Sequence, residues 1–420
     1  MDAISRLEKY PHLLDDIFLN LSRETLLKVD EIWPSWEMMA NCDYFWKKRW
    51  LKNLADLPTW RTLVNRMEYA NPELFIRIIK GNVGIYRYAC DYVEQNMQRV
   101  CKFNMKKPQL LCKLDISAFK VNGSHIFIAD SHVVLIINRW TGKFVKELRL
   151  FDNYLMRSTA TDLQLNDQLL AVKLLNGQIR IYNLADYELV GVLNDATDGF
   201  PYSAGFHLGD DILISSNKSL NRKSLSVQVR QLNSSTGHFV LGENRIFVVD
   251  FGRSTFKEKI YCDPNYVIID VNCAVERVIT VFDRQSLNQV RQRKVPIGKL
   301  LIKRQCHNGV IIIDTAAWHI DRDVIEPIVD DVNIGAHLYS AVLDHFPDFK
   351  FVLRRDPSDY VALSVLPIDS RKSSQMPFSS VPSYMILPGV RYLKSDKCFF
   401  DGVQLFYHFE RQMNVVNVLL

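Results

Sequence analysis

The chain has 420 residues, of which 48% are hydrophobic and 24% are charged, and its formal net charge is +5. This length exceeds that of one ordinary domain, and the composition is that of a folded globular protein. The small net charge argues against bulk nucleic-acid binding. No apolar run reaches the roughly 18 residues of a membrane-spanning helix, and the first residues lack the pattern of a signal peptide. The sequence therefore predicts a cytoplasmic or nuclear protein, with neither a membrane nor nucleic acid as a partner.

The cysteines give no sign of disulfide or metal chemistry. All 8 are scattered along the chain, and none forms a close CxxC pair. In a reducing compartment, scattered cysteines are small apolar residues of the core. We therefore predict that they are buried and structural.

A helical apolar pattern begins at Pro11, a residue tolerated in the first turn of a helix. The stripe that follows has members at i, i+1, i+4, i+5 and i+8, namely Leu13, Leu14, Ile17, Phe18 and Leu21. A second short helix carries Leu26 and Leu27, and a third follows Pro34. A few short helices in about 40 residues cannot bury several large aromatic residues by themselves. Part of this apolar surface is therefore predicted to contact a partner.

This stretch resembles an F-box, the small helical module that docks on the Skp adaptor of cullin-based ubiquitin ligases. The positions that match the family in order and spacing are Pro11, Leu13, Leu14, Ile17, Phe18, Leu21, Leu26, Leu27, Trp36, Phe45 and Trp46. Tyr10, His12 and the Ile32–Trp33 pair depart from the family pattern. The resemblance implies that the matching residues bind the adaptor, within a module spanning residues 8–52. The alternative is a helical cap that only packs on the rest of the chain.

Residues 53–109 continue the helical period. Their apolar faces are formed by Trp60, Leu63, Val64 and Met67, then by Leu74, Phe75, Ile78 and Ile79, and then by Tyr86, Ala89, Cys90 and Val93. Pro58, Pro72 and Gly81 separate these segments. We interpret them as a helical linker that braces the preceding module.

From about residue 110 the apolar period changes to two, which is typical of strands. Asn176–Gly177 and Asp401–Gly402 each join two such runs, and both dipeptides are strong hairpin signals. A polar turn follows each hairpin, with exits at Asn138, Asn183, Gln231, Asp283, Asp321, Pro367 and Phe409. Successive exits are 45, 48, 52, 38, 46 and 42 residues apart. A four-stranded propeller blade occupies roughly 40–45 residues.

This spacing predicts an all-β propeller of about seven blades over residues 110–420. The predicted fold class is therefore an α+β multidomain protein, with the F-box-like helical domain first and the propeller second. Because an open ring would leave unpaired edges, we expect residues 413–419 to pair with sequence near residue 112. A two-sheet sandwich is the main alternative, although about 28 strands exceed what a sandwich holds.

The second part is similar to a divergent WD-repeat propeller in the spacing of its strands and turns, but not in its sequence motifs. No Gly-His pair opens a blade and no Trp-Asp pair closes one. An F-box followed by such a propeller implies a substrate receptor of a Skp–cullin–F-box ubiquitin ligase, with the Skp-type adaptor, a cullin and a protein substrate as partners. A non-catalytic propeller scaffold outside a ubiquitin ligase is the alternative function.

No catalytic motif is present. The sequence lacks a Gly-x-Ser-x-Gly elbow, a phosphate-binding loop and a His-Glu-x-x-His pair, so we predict neither an enzyme nor a cofactor nor a metal site. The densest acid–histidine group is Asp314, His319, Asp321 and Asp323. We interpret these four residues as structural hydrogen-bonding or loop residues.

Basic residues cluster at several predicted loops of the propeller. The candidate substrate-binding residues are Arg222, Arg291, Arg293, Arg304, Arg354 and Arg355. Arginine binds phosphate through two parallel hydrogen bonds, and phosphorylated degrons are one substrate class of the family that the chain resembles. The alternative for each cluster is an ordinary set of solvated charges.

Overall fold

The computed structural model contains helices in the first part of the chain and strands in the second. It describes residues 11–21, 25–26, 28, 42–56, 58–101, 109–113, 116–150, 159–194, 202–221, 223–235, 238–250, 256–262, 264–273, 276–296, 306–307, 310–313, 316–327, 340–345, 349–355, 361–367, 383–387, 390, 398–400 and 404–417. The chain divides into two compact units. The first contains Met1–Gln109, Phe400–Leu405 and Val415–Leu420, and the second contains Leu110–Phe399 and Phe406–Asn414.

The helices that the structure describes are α1 (Pro11–Asn20), α2 (Asp43–Asp56), α3 (Pro58–Ala70), α4 (Pro72–Ile79) and α5 (Ile85–Cys101). Helices α3 and α4 begin at proline because the first turn of a helix needs no N–H donor there. Asn71 caps α4, since its side chain accepts a hydrogen bond from the Leu74 N–H at 3.2 Å. None of the helices in the described part of the chain is long and apolar enough to cross a bilayer.

The predicted apolar faces of the linker helices are mostly confirmed. The buried members are Trp60, Leu63, Val64, Met67, Leu74, Ile78, Ala89, Cys90 and Val93, while Phe75 and Tyr86 are half-buried. The prediction was wrong for Ile79, which is exposed. Successive helical residues point about 100° apart, so the burial of Ile78 against the neighbouring helices turns Ile79 away from them.

The described strands form seven four-stranded sheets. Sheet 1 contains β2 (Ala118–Val121), β3 (His125–Ala129), β4 (Val133–Asn138) and β5 (Phe144–Arg149). Sheet 2 contains β6 (Ala160–Leu165), β7 (Leu169–Leu174), β8 (Gln178–Asn183) and β9 (Leu189–Asn194). Sheet 3 contains β10 (Tyr202–Leu208), β11 (Ile212–Lys218), β12 (Ser224–Ser235) and β13 (His238–Asp250). Sheet 4 contains β14 (Phe256–Cys262), β15 (Tyr266–Cys273), β16 (Glu276–Asp283) and β17 (Gln289–Pro296).

Three further sheets complete the described strands. Sheet 5 contains β18 (Cys306–His307), β19 (Val310–Ile313), β20 (Ala316–His319) and β21 (Val324–Pro327). Sheet 6 contains β22 (Ser340–His345), β23 (Phe349–Arg355), β24 (Val361–Pro367) and β25 (Ser383–Ile386). Sheet 7 contains β1 (Gln109–Lys113), β26 (Cys398–Phe400), β27 (Gln404–Phe409) and β28 (Gln412–Asn417).

Strand order distinguishes sheet 7 from the others. In sheets 1–6 the four strands lie in chain order, whereas sheet 7 has the order β1-β28-β27-β26. The expected pairing of the last strand with sequence near residue 112 is therefore confirmed. The predicted last exit at Phe409 is confirmed as the end of a hairpin strand that a polar turn and β28 follow, although Phe409 ends the second strand of its sheet and β1 supplies the fourth.

Consecutive sheets pack face to face through apolar clusters. One cluster joins sheets 1 and 2, a second joins sheets 2 and 3, a third joins sheets 3 and 4, and a fourth joins sheets 4 and 5. The first strands β2, β6, β10 and β14 are also neighbours in that order. Every residue of β7 is buried, as expected for a strand covered on both faces. Four-stranded sheets stacked side by side in this way form a propeller-like β unit.

The repeated turn that the sequence suggested is the same structure each time. The backbone carbonyls of Asn138, Asn183 and Asp283 each accept a hydrogen bond from the N–H four residues later, at 2.8, 2.8 and 2.9 Å. Those donor residues, Gly142, Tyr187 and Leu287, have positive φ angles of 68°, 62° and 56°. The asparagine or aspartate side chain accepts further N–H donors of the turn, which is why these residue types recur.

The predicted exit at Gln231 was wrong. Strand β12 continues to Ser235 and stays paired with β13 across an irregularity in register between Arg230 and Leu232. Gln231 therefore lies within a long hairpin. A β-bulge bends a strand without ending it, so the polar residue at this point did not mark a turn.

His207, near the end of β10, gives the fold a pH dependence. Burial, and then the charges of Lys120 and Arg284, lower the pKa of its imidazole to about 4. Between this value and the ordinary pKa of 6.5 the folded state binds fewer protons than the unfolded state, so stability falls as the pH falls through that window. We expect His207 to lower the free energy of unfolding by about 2 kcal/mol between pH 7 and pH 5.

Urea denaturation of the full chain and of His207→Gln at the two pH values measures this contribution. The variant should lose less stability on acidification than the wild type. An equal loss in the two proteins would show that His207 is not responsible.

Candidate functional site

Helix α1 has two different apolar sides. Leu14 and Phe18 are only 7% and 4% exposed, whereas Leu13 and Ile17 are 42% and 44% exposed. Residues four apart lie on one face of a helix, so each pair forms its own row along α1. The predicted single stripe is therefore divided into an inward row and an outward row. We call Leu13 and Ile17 the outward row.

Three of the other predicted adaptor-binding residues lie in the core of the first unit. Leu26, Phe45 and Trp46 are buried, and Leu21 is half-buried. The rings of Phe45 and Trp46 meet edge to face with centroids 5.3 Å apart. Pro11 is the first residue of α1, while Leu27 and Trp36 lie outside the described residues. Of the predicted residues whose exposure is described, the outward row is the part open to solvent.

A buried ion pair holds α1 against α2 and α5. The Arg49 guanidinium donates from Nε to Glu94 Oε1 at 2.8 Å, and its Nη2 lies 2.7 Å from the same oxygen. Its Nη1 also donates to the carbonyls of Phe18 and Leu19, both at 3.4 Å. The last carbonyls of a helix lack partners within the helix, and a cation there is favoured by the helix dipole. Arg49 therefore fixes the end of α1.

Sequence reasoning missed Arg49 and Glu94. The available signal was helical spacing, since Arg49 lies three residues after the buried Trp46 and directly before the buried Trp50, on the helix face that these tryptophans share. A second contact at the end of α1 joins the Lys52 ammonium to the Asn20 side chain. Together these contacts attach the C-terminal end of α1 to α2.

Cys90 is part of the same core. It is fully buried, and its thiol donates to the Trp46 carbonyl with a separation of 3.7 Å. Burial, and then the Glu94 charge, raise the pKa of the Cys90 thiol well above its usual range, so the group stays protonated. The structural role predicted for the cysteines is confirmed at Cys90, whereas Cys42 is exposed.

The candidate substrate-binding arginines are distributed over different sheets. Arg291 and Arg293 lie on β17 in sheet 4, while Arg354 and Arg355 end β23 in sheet 6. Arg293 lies 3.1 Å from Asp323 and 5.5 Å above the Trp318 ring, so it links sheets 4 and 5. Arg291 is exposed, and Arg222 and Arg304 lie outside the described residues. No contact described in the structure brings the arginines of sheets 4 and 6 together.

The acid–histidine group makes hydrogen bonds around the turn of sheet 5. Asp323 accepts from the Trp318 indole N–H at 2.9 Å, and Asp321 accepts from the Tyr266 hydroxyl of sheet 4. His319 Nδ1 lies 3.1 Å from the Arg322 guanidinium, and Asp314 falls outside the described residues. Within the described ranges, no three His, Cys, Asp or Glu side chains are grouped as a metal site.

Comparison with known proteins identifies no family. No family model matches the sequence, and no curated protein matches it. Among solved structures, a chain of one titled "Crystal Structure of Mitotic Checkpoint Complex" is similar over 75% of this chain and 92% of its own length. The TM-score is 0.49 and the sequence identity is 10%. A similarity at this level assigns no function.

Removing Arg49 should destabilise the helical unit. In Arg49→Met the Glu94 carboxylate stays buried without its cation, which costs about 3 kcal/mol of unfolding free energy. The double variant Arg49→Met/Glu94→Leu removes both charges and should recover most of that loss. Arg149→Met breaks only the exposed pair with Glu147 and should cost less than about 1 kcal/mol.

Denaturant unfolding of the four proteins, followed by tryptophan fluorescence, checks this order of stability. The role of Arg49 would be refuted if its single substitution were as mild as that of Arg149.

Proposed function

We propose that this chain is the substrate-recognition subunit of a Skp–cullin–F-box ubiquitin ligase. The observation that carries the proposal is the outward row of α1, in which Leu13 and Ile17 stay exposed while Arg49 binds the carbonyls at the end of the helix. Both residues belong to the set that matches the F-box pattern. Exposed aliphatic side chains on a rigid helix are suited to fill apolar depressions of a partner, where most binding energy is concentrated.

In this proposal the β unit binds the protein substrate. The seven four-stranded sheets act as the blades of a closed seven-bladed propeller, and the place of β1 beside β28 supports closure because it joins the two ends of the strand-forming region. Such a frame holds turns of different sequence in fixed positions. The turn between β7 and β8 and the turn between β11 and β12 each expose a leucine, Leu175 and Leu220.

The chain makes and breaks no bond in this role. It brings a substrate lysine near a charged conjugating enzyme that the cullin recruits, which raises the effective concentration of the reacting groups. The proposed partners are a Skp-type adaptor, a cullin and the substrate, in the cytoplasm or the nucleus.

Substitution of the outward row tests the adaptor contact. In Leu13→Asp/Ile17→Asp two charges replace the exposed apolar groups, so binding of a purified Skp adaptor should weaken by about 100-fold. The fold should be retained because neither side chain is buried. Leu189→Asp/Val192→Asp is a matched control, since these two residues of β9 are similarly exposed.

Titration calorimetry with the full chain gives the affinities. Wild-type and control proteins should bind alike. Loss of affinity in the control alone, or no binding by the wild type, would contradict the proposal.

The second candidate function is a non-catalytic scaffold that binds proteins outside a ubiquitin ligase. It shares the propeller-like unit but requires no adaptor contact. The same titration separates the two functions, because a scaffold gives no affinity for the Skp adaptor that depends on Leu13 and Ile17.

Substrate phosphate binding can be tested one cluster at a time. We expect at least one of Arg222→Glu, Arg291→Glu, Arg304→Glu and Arg354→Glu/Arg355→Glu to lower retention on phosphoserine peptides by about tenfold, since each removes charge-assisted hydrogen bonds. Arg293 is left unchanged because it links two sheets through Asp323. Arg149→Glu is the exposed control. Full retention by every variant would exclude a phosphopeptide face at these arginines.

A further inference from the structure

The turn between α4 and α5 presents two aliphatic side chains to solvent. We call residues 79–84 the α4–α5 turn. Val83 is 91% exposed and Ile79 is 70% exposed, which makes them the most exposed large hydrophobic residues that the structure describes. Ile76, one helical turn before Lys80, is also exposed. Exposed apolar side chains that lie together are typical of a surface that contacts a membrane or another protein.

The α4–α5 turn has a defined backbone. Gly81 and Gly84 adopt positive φ angles of 66° and 76°, a region that suits glycine. The N–H groups of Gly81 and Asn82 donate to the carbonyls of Ile78 and Arg77 at 3.0 and 3.3 Å. The Gly84 N–H donates to the Asp43 carboxylate at 3.1 Å, which ties the turn to the start of α2. The exposure of Val83 is therefore built into the local structure.

The charged residues close in sequence to the apolar tip are basic. Residues 76–88 contain Arg77, Lys80 and Arg87 and no acidic residue. The neighbouring helix α2 adds Lys47, whose ammonium lies 5.9 Å from the Tyr86 ring. The Tyr86 hydroxyl lies close to Gly81, so the Tyr86 side chain borders the α4–α5 turn.

The acidic side chains near the tip are few. Asp43 is half-buried and accepts the Gly84 N–H, while Glu73 lies in the first turn of α4, at the other end of that helix. Asp91 lies further along α5 than Arg87. The surface that carries Val83 is therefore apolar at its tip and cationic around it.

We propose that the α4–α5 turn docks on an anionic phospholipid bilayer. Ile79 and Val83 enter the interfacial layer, while Arg77, Lys80 and Lys47 contact the headgroups and Tyr86 lies at their level. Charge complementarity favours an anionic surface, and interfacial anchors combine apolar, aromatic and basic residues in this way. A side chain exposed on nearly all sides also suits insertion into a fluid layer.

This inference departs from the prediction that the protein has no membrane partner. That prediction rested on the absence of a membrane-spanning segment and of a signal-peptide pattern. A peripheral membrane contact requires neither, because a few exposed residues can form it. The inference also extends beyond the proposed ligase role, since neither the outward row nor the β unit takes part in it.

Vesicle sedimentation with the full chain tests the proposal. The chain should sediment with phosphatidylcholine vesicles that contain about 30% phosphatidylserine and remain largely free with phosphatidylcholine alone. Binding should weaken as salt rises above about 0.1 M because added ions screen the headgroup charge. Val83→Asp should lower partitioning at least about tenfold, and Lys80→Gln about fivefold.

Leu175→Asp is the matched control. It introduces the same charge at an exposed apolar residue of the β unit, so it should bind vesicles like the wild type. The proposal is overturned if the wild type does not sediment, if Val83→Asp binds normally, or if Leu175→Asp loses as much. It is also overturned if Val83→Asp weakens Skp adaptor binding but leaves vesicle binding unchanged, because the turn would then be a protein contact.

Discussion

The placement of α1 depends on the buried ion pair between Arg49 and Glu94. Burying two charges costs several kcal/mol of desolvation free energy, and the cost is offset only where further hydrogen bonds complete the site. Here the remaining donor of Arg49 reaches the Phe18 and Leu19 carbonyls at the end of α1. One guanidinium thus joins three helices. Along α1, Leu14 and Phe18 are buried, and the adjacent row of Leu13 and Ile17 is left to solvent.

A different constraint governs the β unit, in which four-stranded sheets are covered on both faces. The clusters between sheets 1 to 4 contain aliphatic residues from both partners, so each of these sheets buries its apolar face against a neighbouring sheet. Polar contacts at the turns add to this packing, as where Arg284 pairs with Asp211 of the preceding sheet. A frame held together in this way can present turns of varied sequence without changing its core. That property suits a protein whose task is recognition.

Much of this organisation follows from local patterns in the sequence. The period of two, the Asn176–Gly177 turn and the repeated Asn or Asp turns gave the strands and their grouping, because short-range backbone geometry dictates those residues. What failed depended on contacts between distant segments. The hydrophobic stripe of α1 could not reveal that Leu13 faces out while Leu14 faces in, since this depends on packing against helices that lie further along the chain, such as α2. Likewise, the role of Arg293 depends on Asp323 in the next sheet, and the fourth strand of sheet 7 comes from the other end of the strand-forming region.

The proposed ligase role depends on adaptor binding at the exposed side of α1. Site-specific photo-crosslinking measures this most directly, with a benzophenone amino acid in place of Ile17 in the full chain and purified Skp adaptor added. A covalent adduct of this chain and the adaptor should form, and excess unlabelled wild-type chain should suppress its formation. If residue 17 captured no adaptor, while the same probe at Leu189 on the β unit did, the adaptor would bind elsewhere and the account would be contradicted.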